Sequence, residues 1–259
     1  MSWWILPLLL ALLTGALCPI SGALLIMQGR VMQANLISHA VLPGLALAVA
    51  FGLPPSVGGS LSGLLGALVA ERLLAGPGQT TGNHHGAVMN TVLAGFLGLG
   101  VLLIPLLGIR IDLEATLFGD MLLTRPVNLL QAGGGLLLQG LFFAACYRPL
   151  VFLGVDPVGA AASGLPLRAL KLALAGITAF VIVSSMAAVG VVLVIGLMCA
   201  PALLGLAGAT SLRQAVLRAS TAGMVLSVGG FLLALLLNLP PGPLIGVLCV
   251  GLLVVRRGG

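Results

Sequence analysis

Long apolar segments, separated by short stretches that are charged or rich in proline and glycine, decide what this chain can fold into. A helix needs about 20 apolar residues to cross the hydrocarbon core of a membrane, and nine segments approach that length. Charged residues make up only 6% of the chain, whereas a soluble domain carries roughly 25%, so its surface cannot face water. We predict an all-α integral membrane protein with about nine transmembrane helices in one domain, residues 1–259. The predicted spans are 4–27, 35–51, 57–74, 91–107, 129–147, 171–185, 189–207, 219–237 and 244–255.

The distribution of positive charge predicts which ends of the spans face the cytoplasm. If successive spans alternate in direction, nine of the 11 basic residues fall on one side, and the positive-inside rule assigns that side to the cytoplasm. The C-terminus is then cytoplasmic and the N-terminus extracytoplasmic, and segment 110–126 forms a charged outer loop. We expect the first span to be retained, because no basic region precedes it. The cytoplasmic set is Arg30, Arg72, Arg148, Arg168, Lys171, Arg213, Arg218, Arg256 and Arg257.

His39 is the one histidine of three that falls within a predicted span. Ionisable side chains are costly in a bilayer and often mark transport pathways, and imidazole is a favoured ligand of divalent transition metals. Asn35 lies four residues earlier, so a helix places both side chains on one face, about 6 Å apart. Pro43 and Gly44 weaken the helix one turn later. Two interpretations stay open: a metal site formed by His39 and Asn35, or a histidine hydrogen-bonded between helices.

The segment 156–166 between the fifth and sixth spans has the composition of a short helix that lies outside the membrane. Asp156 can cap a helix whose first residue is Pro157. Gly164 can end it, and Pro166 prevents its continuation. We interpret it as a docking element for a soluble partner, and an ordinary connector is the alternative.

The remaining chemistry-bearing residues favour transport over catalysis. No Gly-x4-Gly-Lys-Ser/Thr loop is present, so the chain does not hydrolyse ATP by itself, and we expect no enzymatic activity and no permanently bound cofactor. We interpret His84 and His85 as part of a flexible loop, 76–86, rather than as a regulatory metal site. The net charge of +6 is dispersed and aromatic residues are 4%, which argues against nucleic-acid binding. We expect the four cysteines to pack as small apolar residues without a disulfide; they are Cys18, Cys146, Cys199 and Cys249.

Segment 37–44, which reads Ile-Ser-His-Ala-Val-Leu-Pro-Gly, resembles the membrane subunits of ABC importers for manganese, zinc or iron, the ABC-3 permease family. Segments 117–120, 156–165, 189–202 and 241–243 resemble the same family in the same order. The resemblance implies a type II ABC importer permease fold in the bacterial cell membrane and inward transport of a divalent metal, with manganese favoured and zinc or iron as alternatives. In the family an aspartate helps to form the metal site where this chain has Asn35.

The resemblance also implies partners. They are a second permease chain, making a homodimer, two cytoplasmic ABC ATPase subunits and an extracytoplasmic metal-binding protein, all around a chain embedded in the lipid bilayer. Segment 156–166 takes the role of the coupling helix that contacts the ATPase, through Asp156, Pro157, Ala160, Gly164 and Leu165. A permease for siderophores, haem or cobalamin is the nearest alternative. A secondary metal transporter is another, but it would need buried carboxylates for ion coupling, and no predicted span has one in its interior.

Overall fold

Helices account for nearly all of the chain that the computed structural model describes, which is residues 4–74, 82–109 and 124–258 together with Gly119 and Met121. No strand occurs in these ranges, so the predicted all-α class is confirmed. The helices are α1 (Ile5–Met27), α2 (Val31–Ala50), α3 (Pro55–Leu74), α4 (Gly82–Leu106), α5 (Pro126–Ala145), α6 (Tyr147–Val155), α7 (Pro157–Ala162), α8 (Leu167–Val189), α9 (Val191–Leu206), α10 (Leu212–Leu237) and α11 (Pro241–Gly258).

Each of the nine predicted spans overlaps one long helix. Seven helices in the described ranges are long and apolar enough to cross a membrane, namely α1 to α5, α8 and α10. The helices α9 and α11 contain shorter apolar stretches, Leu193–Leu206 and Pro241–Val254. A membrane protein of about nine spans is therefore confirmed by length and composition.

Several helices begin earlier than their apolar cores predict. Helix α10 starts at Leu212 instead of residue 219, where the Ser211 hydroxyl accepts a hydrogen bond of 3.2 Å from the Gln214 amide. Helix α4 starts at Gly82, so the prediction of a flexible loop through residue 86 is wrong for residues 82–86; residues 75–81 lie outside the described part. Each residue added to an existing helix gains a hydrogen bond without a new nucleation cost, and the helices therefore extend past the membrane-length segment.

Proline and glycine set the breaks between helices. Pro55 and Pro241 are the first residues of α3 and α11, where the missing proline amide has no helical partner to lose. Gly190 separates α8 from α9 with a φ of 82°, a conformation that glycine adopts without the steric cost of a side chain. Pro43 is different, because α2 runs through it without a break.

The chain forms two compact units. One consists of Val31–Asp112 and Arg168–Val183, and in it α2 packs on α3 and α4. Glycine permits the closest contact, because a Cβ atom on Gly44 would overlap the backbone oxygen of Gly58, and one on Gly58 would overlap that of Gly44. Small residues at such crossings let membrane helices approach to backbone contact.

The other unit consists of Met1–Arg30, Leu113–Leu167 and Ser184–Gly259, and it is organised around α1. Gly15 of α1 lies against Gly223 of α10. Helix α1 also makes a polar contact with α5, where the Ser21 hydroxyl and the Gln139 amide are 2.6 Å apart and fully buried. The Cys18 thiol lies 3.1 Å from the Ser185 hydroxyl. All four cysteines are free.

Candidate metal site and coupling segment

The candidate metal site lies on α2, in the unit formed by residues 31–112 and 168–183. The helix places Asn35 and His39 four residues apart on one face, as the sequence predicts, and both side chains are half-buried. Ser38, between them in sequence, is fully buried, and its hydroxyl donates a 2.7 Å hydrogen bond to the backbone carbonyl of Asn35. The Ser38 hydroxyl therefore has a hydrogen-bond partner within its own helix. The polar side chains that share the other face are those of Asn35 and His39.

The packing of α2 holds this face in a fixed direction. A Cβ atom on Gly63 of α3 would lie 3.1 Å from Ile37, and the Ser62 hydroxyl of α3 donates a 2.6 Å hydrogen bond to the Ala40 carbonyl. With about 100° per residue, Asn35 is on the opposite side of the helix from Gly44, which touches α3. The Asn35–His39 face is thus turned away from α3.

Pro43 changes the backbone at the site itself. In a regular helix the carbonyl of His39 would accept a hydrogen bond from the amide of residue 43, and a proline at that position has no amide hydrogen to donate. The proline is covered by α4, since a Cβ atom on Gly100 would lie 3.0 Å from the Pro43 nitrogen. The same residue, His39, consequently offers both an imidazole and a backbone oxygen that lacks its helical donor.

The imidazole of His39 also lacks a structural partner. Its Nδ1 atom is buried and forms no hydrogen bond within the part of the chain that the structure describes. In a histidine that served only to join two helices, the buried nitrogen would form a hydrogen bond with the neighbouring helix, because an unsatisfied buried polar atom is costly. The free nitrogen therefore favours the metal-site interpretation over the purely structural one.

The part of the chain that the structure describes does not provide a closed metal cage. Over residues 4–74, 82–109 and 124–258, no group of three His, Cys, Asp or Glu side chains is placed to hold one ion. Asn35 contributes a neutral oxygen, which is a weaker partner for a divalent cation than a carboxylate. Two side chains alone would bind an ion weakly and reversibly, which suits a transported ion better than a permanently bound one.

Sequence reasoning missed a second group of polar atoms in the same unit. Gln33 is only 1% exposed, and neither its Nε2 nor its Oε1 atom has a hydrogen-bond partner. The hydroxyl oxygens of Ser60 on α3 and Thr178 on α8 are also buried without a hydrogen-bond partner. Gln33 was overlooked because the predicted span began at residue 35, whereas α2 begins at Val31.

Segment 156–166, which we call the coupling segment, has the predicted local structure. The Asp156 carboxylate accepts a 2.8 Å hydrogen bond from the Gly159 amide, and Pro157 is the first residue of α7. The helix ends at Ala162, and Gly164 follows with a φ of 77°. Ala160 is fully buried, which anchors one side of the short helix to its own unit.

The outer side of this segment is apolar. Val155 and Val158 are 77% and 80% exposed, on either side of the Asp156 cap. These two valines leave an apolar surface on the segment that other described residues of the chain do not cover. Leu165 and Pro166 lead directly into α8 at Leu167. Two other predicted features, the outer loop 110–126 and segment 117–120, lie mostly outside the described residues.

The chain matches proteins of known type over nearly its whole length. The model of the ABC 3 transport family matches residues 4–257. The chelated iron transport system membrane protein YfeD of Yersinia pestis is 31% identical over 241 residues, 92% of this chain and 79% of the relative. The manganese transport system membrane protein MntC of Halalkalibacterium halodurans is 27% identical over 233 residues, 90% of this chain and 78% of the relative. The solved complex of PsaBC from Streptococcus pneumoniae with a Fab is similar with a TM-score of 0.88 at 25% identity, covering 98% of this chain and 91% of the other.

Proposed function

We propose that this chain, which belongs to the ABC 3 transport family, is the permease of an importer for a divalent transition metal and that His39 and Asn35 contact the ion in transit. The chain is a multi-pass membrane protein and supplies no ATPase of its own, because members of the family are the membrane subunits of ABC importers. The import of metal is supported by relatives whose names describe manganese and chelated iron transport.

The observation that carries the site is the unpartnered Nδ1 atom of His39. Asn35 shares the helix face of His39, and Pro43 deprives the His39 carbonyl of its usual donor. The two side chains offer one nitrogen and one oxygen, donor types that manganese, iron and zinc all accept. Because both side chains are neutral when they bind metal, the site holds the ion weakly enough to release it.

Manganese is the favoured substrate. The relative MntC of Halalkalibacterium halodurans, whose name describes manganese transport, supports this choice, and the amide oxygen of Asn35 is a donor type that suits manganese. Iron and zinc are the alternatives. Measuring the uptake rates of manganese, iron and zinc by the same transporter distinguishes them.

The partners follow from the family and from the surface of α7. A cytoplasmic ABC ATPase docks on the segment from Asp156 to Leu165, where Val155 and Val158 are exposed. A second copy of this permease completes the transmembrane part, and an extracytoplasmic metal-binding protein delivers the ion. In this arrangement the basic helix ends face the cytoplasm, as does the C-terminus.

The test of the site is metal uptake by proteoliposomes that contain the complete transporter. His39→Ala removes the imidazole and should reduce the uptake of manganese at low concentration by about tenfold or more, since even the loss of an outer partner of a metal ligand costs 10- to 100-fold. His85→Ala is the matched control, because His85 is exposed at the start of α4. Assembly with the ATPase is verified separately. Wild-type uptake by a well-assembled His39→Ala transporter at every metal concentration would show that the ion takes another route.

A further inference from the structure

A cavity outside the metal site joins the last turn of α3 to the first turn of α8. Its volume is about 540 Å³, and it is lined by Leu68, Glu71, Arg72, Arg168, Ala169 and Leu172. All six residues belong to one compact unit. Neither the metal site nor the coupling segment uses any of them, so the cavity has no assigned role in transport.

The lining of the cavity combines positive charge with an apolar wall. The two arginines come from different helices and face one glutamate, which leaves an excess of one positive charge, and both arginines are exposed. Leu68 and Leu172 form the wall between the charged ends. Arginine recognises phosphate through paired N–H groups, and the leucines extend the site beyond what a free phosphate would fill.

Helix α3, which lines one side of the cavity, also carries an exposed apolar row. Val57, Leu61, Leu65 and Val69 are all exposed and recur every four residues, so they form one stripe along the helix. Leu73 continues this stripe, and Leu172 of α8 is also exposed. An apolar stripe that ends in two arginines matches an acyl chain below a phosphate headgroup.

We propose that this cavity binds the headgroup of an anionic phospholipid, with Arg72 and Arg168 holding the phosphate and the α3 stripe holding an acyl chain. Basic pockets between transmembrane helices on the cytoplasmic side are suited to such headgroups. The bound lipid links the end of α3 to the start of α8. Arg168 lies two residues after Pro166, so the lipid also steadies the point at which the coupling segment enters α8. The inference uses the membrane orientation of the proposed function, but it does not depend on the metal site.

The experiment measures lipid binding by the full-length chain in its transporter complex, in mixed micelles without added metal. The probes are phosphatidylglycerol and phosphatidylcholine with identical acyl chains, and the readout is the number of each retained per chain by native mass spectrometry. Arg72→Gln or Arg168→Gln alone should weaken the preference for phosphatidylglycerol about 5-fold, and the double variant should weaken it roughly 30-fold, because each basic residue near an anionic lipid contributes about 1 kcal/mol.

Two control variants keep the result interpretable. Arg213→Gln removes an exposed arginine at the start of α10, and it should keep the wild-type preference. The double variant with lysine at both positions should recover most of the preference, since an ammonium group still attracts phosphate but lacks the paired geometry. A loss of binding that lysine does not recover, in a transporter that assembles like the wild type, would overturn the assignment of a phosphate contact.

Three other outcomes would also overturn the proposal. The glutamine double variant could keep the wild-type preference. Glycerol 3-phosphate could displace the lipid as well as short-chain phosphatidylglycerol does, which would identify a free-phosphate site. The double variant could lose the ATPase subunit while its lipid binding stays intact, which would make the cavity a protein contact. Because no metal is present, none of these results is affected by failure of the His39 site.

Discussion

We expect Asn35 to determine how tightly the proposed site holds its ion. The ABC-3 pattern that this chain resembles has an aspartate there, and the amide of asparagine brings an oxygen without a charge. Asn35→Asp should increase the affinity for manganese about tenfold or more, because a carboxylate in contact with a divalent ion adds well over 1 kcal/mol of attraction even in a high dielectric. Equilibrium binding of manganese to the purified transporter measures the affinity, and single-turnover efflux should show slower release. Equal affinities in the two proteins would mean that residue 35 does not touch the ion.

Pro43 provides a second test at the scale of a single residue. Pro43→Ala restores an amide that can donate to the His39 carbonyl, so the helix next to His39 becomes regular. We expect the variant to be at least as stable in thermal unfolding and to take up manganese several-fold more slowly. Pro105→Ala in α4 is the matched control, since Pro105 is exposed near the helix end. Faster or unchanged uptake by Pro43→Ala would show that the hydrogen bond missing at Pro43 has no role in transport.

The residues of the site show what a sequence can predict at this scale. That Asn35 and His39 share a face follows from helical periodicity alone, so it was predictable once the segment was recognised as helix. The free Nδ1 atom of His39 was not, because it depends on which groups α3 and α4 bring near it. Gln33 was missed for a simpler reason: its hydrophilic side chain lies beyond the apolar core by which the span was defined, although α2 already includes it.

At the scale of elements, the coupling segment was predictable because its signals are local. An aspartate cap, a first-turn proline and a glycine beyond the end act on their immediate neighbours, and each is realised between Asp156 and Gly164. The starts of α4 and α10 were not predictable in the same way. Their polar first turns resemble loop, but a helix already held in the membrane continues into them, and at α10 the Ser211 cap adds to this.

Substitution of Gly164 tests whether this segment contacts an ATPase and couples its activity to transport. Its φ of 77° is strained for any residue with a Cβ atom, at a cost of roughly 1–2 kcal/mol, so Gly164→Leu should shift the end of α7. We expect weaker retention of the ATPase subunit and lower transport-coupled ATP hydrolysis. Gly108→Leu is the matched control, because Gly108 has a φ of 63° and follows α4 at the predicted opposite side. Retention and coupled hydrolysis at the wild-type level in Gly164→Leu would exclude the segment as the docking element.

At the scale of the whole molecule, the membrane class and the number of spans were predictable because both depend on composition and length. The division into two compact units was not. One unit combines Val31–Asp112 with the distant stretch Arg168–Val183, and the first half of α8 belongs to it while the last residues of that helix belong to the other unit. The contacts that create this division, such as Gly63 of α3 against Ala179 of α8, depend on shape complementarity between small residues, which hydropathy does not encode.

The orientation of the whole chain is the prediction that rests on charge alone. Nine of the 11 basic residues fall on one side of alternating spans, so the coupling segment should be cytoplasmic and residue 120, which lies outside the described part, should be external. A cysteine introduced at Asp120 should react with a membrane-impermeant maleimide in intact cells, whereas one introduced at Ser163, an exposed residue after α7, should react only after lysis. The background is the Cys146→Ser variant, since Cys146 is the native cysteine nearest α7 and is partly exposed. The reverse pattern of labelling would invert the topology, and with it the assignment of the segment from Asp156 to Leu165 to a cytoplasmic ATPase.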